Sequence, residues 1–140
     1  MTERLRAGAP LARAALLLAL AACAQDPGTA IQEAREGALS WAASAHMAFE
    51  GWTDGRLTTA YTRATLDRCQ RGLEEERTAL AATPDLAQPP VVAVAEAIAQ
   101  MSALAASLAE AVGKEDHAAA ARSAAVLLDS AARLRHGDGR

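Results

Sequence analysis

A chain of 140 residues and 14.5 kDa suits a single domain with a modest core and leaves little room for a second. Hydrophobic residues make up 51% of it and aromatic residues only 3%, so its apolar content rests on Ala and Leu, both good helix formers, and an all-α protein is predicted. The 14 Lys and Arg are outnumbered by 17 Asp and Glu and are dispersed, which excludes the basic footprint that nucleic-acid binding requires and gives little attraction to an anionic surface.

The first 23 residues divide into a basic start (Arg4, Arg6, Arg13), an unbroken apolar run from Ala14 to Ala22, and the end Leu20-Ala21-Ala22-Cys23. This is the layout of a signal peptide. The apolar run has about half of the ~20 residues a helix needs to span a bilayer, so the segment is expected to be removed. Ala22-Cys23-Ala24 also offers a nominal Ala-x-Ala cleavage site, which keeps simple secretion as the alternative. Leu20-Ala21-Ala22-Cys23 resembles the lipobox of bacterial lipoproteins, and the resemblance covers the leader alone. It implies cleavage between Ala22 and Cys23, with a diacylglyceryl group and an N-acyl chain such as palmitate on Cys23. Each buried methylene adds about 0.8 kcal/mol, so two or three such chains hold a protein stably on a membrane face. Ala24 stands where an Asp is the usual inner-membrane retention signal, so the resemblance implies outer-membrane delivery, facing the periplasm, in a Gram-negative host. The expected partners are the membrane, through the lipid on Cys23, and a protein of the cell envelope. Without residues 1–22 the chain keeps 11 basic and 16 acidic residues, a net charge of −5.

Residues 23–28 read as the lipidated cysteine and a short tether, because Asp26-Pro27-Gly28 does not propagate a helix. Thr29 and Gln32 fit a capping box and open a first helix over 29–53. Ile31, Ala34, Ala38, Trp41, Ala45, Ala48 and Trp52 recur at steps of three and four and form its seam. The spacing puts both tryptophans on one face as packing residues, with Trp52, near the helix end, the more exposed. Thr53-Asp54-Gly55 supplies a stop.

Thr58 or Thr59 caps a second helix over 59–82, with Leu57, Tyr61, Leu66, Cys69, Leu73 and Leu80 directed inward and the mixed-sign run Arg71 to Arg77 as a solvated face. Pro84, Pro89 and Pro90 bracket the next turn. Val91, Val94, Ile98, Met101, Ala105, Leu108 and Val112 form the seam of a third helix over 89–112, whose Glu96, Gln100, Ser107 and Glu110 argue against a second membrane span. Gly113 ends it. Glu115 and Asp116 place negative charge at the start of a fourth helix over 116–135, with Ala120, Ala124, Leu127, Ala131 and Leu134 inward and a frayed tail at 137–140. Short connections make sequence neighbours antiparallel, so residues 29–136 are predicted to form an up-down-up-down four-helix bundle behind a cleaved signal peptide.

Chemistry-bearing residues are sparse in this domain. Di-iron bundles use Glu-x-x-His, which does not occur, and His46 with Glu50 makes a single i, i+4 pair where a catalytic zinc wants three protein ligands. His117 beside Lys114, Glu115 and Asp116 is accounted for by charge at a helix start. Met47 and Met101 read as core fillers, Cys-x-x-Cys-His is absent, and no cofactor is expected. Cys69 reads as a buried thiol without a disulfide partner once Cys23 is lipidated. With no paired carboxylates or triad order, the expectation is a non-catalytic binding or scaffolding lipoprotein of the cell envelope, Trp52, His46 and Glu50 being weak candidates for contact with a ligand or partner. The alternative is a bundle that holds a metal or small ligand between its helices through His46, Glu50 and Met47 or Met101.

Overall fold

The computed structural model describes residues 26–83 and 87–137, which form four helices: α1 Pro27–Thr53, α2 Thr59–Ala81, α3 Pro89–Gly113 and α4 His117–His136. Sequence neighbours pack on one another, α4 closes the ring against α1, and α1 touches α3 across one diagonal. This is the predicted four-helix bundle. Its register shows where the sides of α1 and α2 approach most closely: Gly37 faces Glu76, and Gly72 lies under the indole of Trp41. The same antiparallel logic brings Gly113 at the end of α3 against the Arg63 side chain near the start of α2.

Helix starts and stops follow from local chemistry, with two departures from the sequence pattern. α1 begins at Pro27, ahead of the predicted Thr29, because the Asp26 carboxylate accepts the Thr29 backbone N–H at 3.3 Å. A proline in the first turn loses only an N–H that would have had no helical partner, so Asp-Pro-Gly starts a helix here where it was read as a tether. Thr58 caps α2 by accepting from the Tyr61 N–H, and Asp116 caps α4 by accepting from the Ala119 N–H at 2.9 Å. The second departure is at the end of α3. Gly113 is its last helical residue, but the left-handed position that closes the turn is Glu115, with φ of 55°. α4 stops at Gly137, which takes the left-handed conformation and returns its N–H to the Arg133 carbonyl, so this residue is a cap and not part of a frayed tail.

The predicted seams of α3 and α4 are buried at every position, from Val91 to Val112 and from Ala120 to Leu134. α1 contributes Ala30, Ala34, Ala38, Ala42, Ala45 and Ala48, a row of small side chains that lets its backbone come close to its neighbours. Leu66, Leu73, Leu80, Ile98, Met101, Leu108 and Leu127 from the other three helices supply the bulk. On α2 one position was misread. Tyr61 is 59% exposed and Thr62 is fully buried in its place, while Leu57 is half-buried in the turn. From Leu66 a step of four back reaches Thr62, whereas Tyr61 needs a step of five and falls off the stripe. α3 is long and apolar enough to cross a membrane by length and composition, with a mean hydropathy of 1.7 over a window of which 39% is buried among the other helices.

Candidate functional site

The residue cluster richest in chemistry joins the two turns at the end of the bundle where α1 and α3 stop. Arg56 and Leu57 both donate backbone N–H groups to the Gly51 carbonyl, which folds the chain back tightly and places Thr59 beside Trp52. The Trp52 Nε1–H donates to Thr59 Oγ1 at 3.1 Å, and the Thr59 hydroxyl donates on to Glu115 Oε1 at 3.4 Å. His117 lies over the indole, the ring centroids 4.2 Å apart and the planes 12° from parallel. Trp52 is 7% exposed, so the expectation that it is the open tryptophan is corrected. A side chain near a helix end is covered when the next turn folds over it, as α4 does here by setting His117 on the ring. Glu115, a non-glycine residue with positive φ, is the link between this network and the α3–α4 turn.

The other tryptophan is half-buried and packs over the bare backbone of Gly72. Its indole N–H donates to the Glu76 carboxylate, which burial together with the charges of Glu75 and Glu33 holds above the usual glutamate range against the opposing pull of that hydrogen bond. Two residues before it, Glu74 has the reverse surroundings. The hydroxyl of buried Ser102 and the Arg77 guanidinium, 2.9 Å away, keep its carboxyl below the usual range. The expected solvated ion pairs of this face thus include one carboxylate turned toward α1.

The remaining sequence candidates do not converge. His46 Nε2 lies 3.3 Å from Glu50 Oε1 on the outer part of α1, and its Nδ1 is buried without a hydrogen-bond partner. Met47 is 62% exposed, which corrects its reading as core filler, and Met101 is fully buried in the core, so these four residues do not line one site between the helices. Among the described residues no three His, Cys, Asp or Glu side chains come together as metal ligands. Cys69 is buried, and burial pushes its thiol up, outweighing Arg68, so the nucleophilic thiolate is disfavoured. Ala22 and Cys23 lie outside the described residues.

Sequence spacing gave no sign of a groove between α1, α3 and α4 at the opposite end of the bundle, whose lining includes Arg35, Glu96 and Arg133. The protein is therefore, by structure, an antiparallel four-helix bundle with polar clusters at its ends. No family model matches the chain, and no curated protein or solved structure matches it.

Proposed function

We propose that this is a lipid-anchored protein of the bacterial cell envelope that binds or scaffolds a partner and performs no catalysis of its own. The observation that carries the reading is Leu20-Ala21-Ala22-Cys23 behind the apolar run from Ala14, followed by helix α1 at Pro27. The stretch from Cys23 to Pro27 reaches about 14 Å when fully extended. Lipid on Cys23 therefore holds the end of the bundle where α1 starts close to the membrane face, and it presents the Trp52–His117 end at the far side, some 40 Å away along the 27-residue α1. In a Gram-negative host Ala24 directs the protein to the outer membrane, facing the periplasm.

The non-catalytic part of the reading is supported by where the reactive groups lie. Cys69 is enclosed as a thiol, and His46 pairs with Glu50 on the outer part of α1. The direct test is a Cys23→Ser chain expressed in a bacterial host. It is expected to lose incorporation of labelled fatty acid and to leave the membrane fraction, and unchanged membrane partitioning would overturn the anchor. Stoichiometric metal in protein purified without chelators would replace the scaffolding reading with the ligand-binding one.

A further inference from the structure

Among the described residues, two glycines sit inside helices and away from their ends, Gly37 in α1 and Gly72 in α2, and both lie on the seam between those helices. Glycine loses more backbone freedom on folding than alanine, so each helix is weakened at this level. Each glycine also admits a side chain from the other helix. Trp41 rests on Gly72, while the carboxylate of Glu76, one turn after Gly72, rests on Gly37, one turn before Trp41. The bond from the Trp41 indole N–H to that carboxylate ties the two contacts together. An ionisable group thus fills the seam where the backbones of both helices are weakest.

Glu76 is half-buried, and the groups that face it carry like charge: Glu33, one turn before Gly37 on α1, and Glu75 beside it on α2. Two further charges of this region are engaged elsewhere. Arg77 donates to Glu74 at 2.9 Å, and Glu36 accepts from Gln32 at 2.7 Å. We propose that Glu76 is a proton-operated latch between α1 and α2: protonated, it lies closed on Gly37, and ionised, it lets this seam open locally and free the Trp41 indole while the rest of the bundle stays folded. Opening returns the carboxylate to water and separates it from Glu33, so the charged form favours opening and the neutral form favours closure. Local openings of this kind need far less than global unfolding where packing is weak. The latch makes exposure of a tryptophan, a residue type that commonly anchors protein contacts, depend on pH. It goes beyond the scaffolding reading and does not require lipid on Cys23.

The test is amide hydrogen exchange of the full chain in a non-ionic detergent, read by NMR from pH 7 down to about pH 4 and corrected for the pH dependence of intrinsic exchange. The Trp41 indole Nε1–H is followed in the same spectra, assigned by its loss in Trp41→Phe. At pH 7 the amides of 33–41 and 72–76 should be about tenfold less protected than those of Ile98, Met101 and Leu108, and insensitive to low denaturant. Their protection should rise by about three- to tenfold as the pH falls through the carboxylate range. Glu76→Gln, which keeps an acceptor for the indole, should be well protected at pH 7 and lose this pH dependence. Gly37→Ala should flatten the profile as well, because its methyl group displaces the flexible carboxylate end into water. Seam amides as well protected as those of α3 at pH 7 would overturn the latch. So would protection that does not change with pH, or a pH dependence that survives in Glu76→Gln.

Discussion

The two tryptophans lie on one seam of α1, about three turns apart, and they are held by different means. At the far end Trp52 is enclosed, its N–H goes to the neutral hydroxyl of Thr59, and His117 lies flat on its ring. Near mid-bundle Trp41 is half-buried, rests on Gly72 where no Cβ intervenes, and gives its N–H to the carboxylate of Glu76. An indole is a large apolar body with one donor that must be satisfied, and the two ends of that requirement are met separately here. The far-end ring is fixed by being covered, with a neutral acceptor. The inner ring is fixed by a missing side chain beneath it and an acceptor whose charge depends on pH.

Removing the covered ring should have the largest effect. Trp52→Ala leaves a cavity under His117 and takes away the donor to Thr59 Oγ1, and a loss of about 3–5 kcal/mol in denaturant unfolding is expected. Amide exchange should rise first in the turns 54–58 and 114–116 that the ring joins. A loss below about 1 kcal/mol would mean that the far end is not closed by this side chain. His117→Ala, which removes only the stacking partner, should cost about 1 kcal/mol.

The inner ring is best probed from below. Gly72→Ala puts a methyl group into the Trp41 indole, and the aromatic ring is too rigid to yield cheaply. Overpacking of about 1–3 kcal/mol opposes the gain of about 1 kcal/mol that Ala brings to a helix interior, so a net destabilisation smaller than that of Trp52→Ala is expected. The near-ultraviolet circular dichroism of Trp41 should change with it. Stabilisation without a spectral change would show that the ring does not rest on Gly72.

This comparison also marks what the sequence could and could not convey. The stripes of α3 and α4 were legible because each step from Val91 to Val112 and from Ala120 to Leu134 is three or four, and burial follows that spacing directly. Tyr61 was misplaced by accepting a step of five, although Thr62 sat at the correct one. Asp26 was missed because proline and glycine were weighed as breakers ahead of the cap they follow. Periodicity put Trp41 and Trp52 on one face but carried nothing about which neighbouring helix covers each, so the order of their exposure came out reversed. The link Thr59–Glu115 joins residues far apart in the chain, and no local spacing encodes it.

The smallest expected effect tests the acceptor of Trp41. Glu76 is held above the ordinary glutamate range chiefly by burial, so folding favours its protonated form. The stability that comes with protonation is complete at pH values below the unfolded-state range and is lost as the pH rises through the folded-state value. At neutral pH the ionised carboxylate is therefore a net cost to the folded state, partly offset by the bond from Trp41. Glu76→Gln retains an oxygen that can accept the indole N–H while removing the charge and its repulsion from Glu75 and Glu33. The variant should melt higher than the parent at pH 7, and the difference should shrink toward zero as the pH is lowered through the carboxylate range. A lower melting temperature at pH 7 would reverse the ranking, making the charged hydrogen bond to Trp41 worth more than the burial that opposes it.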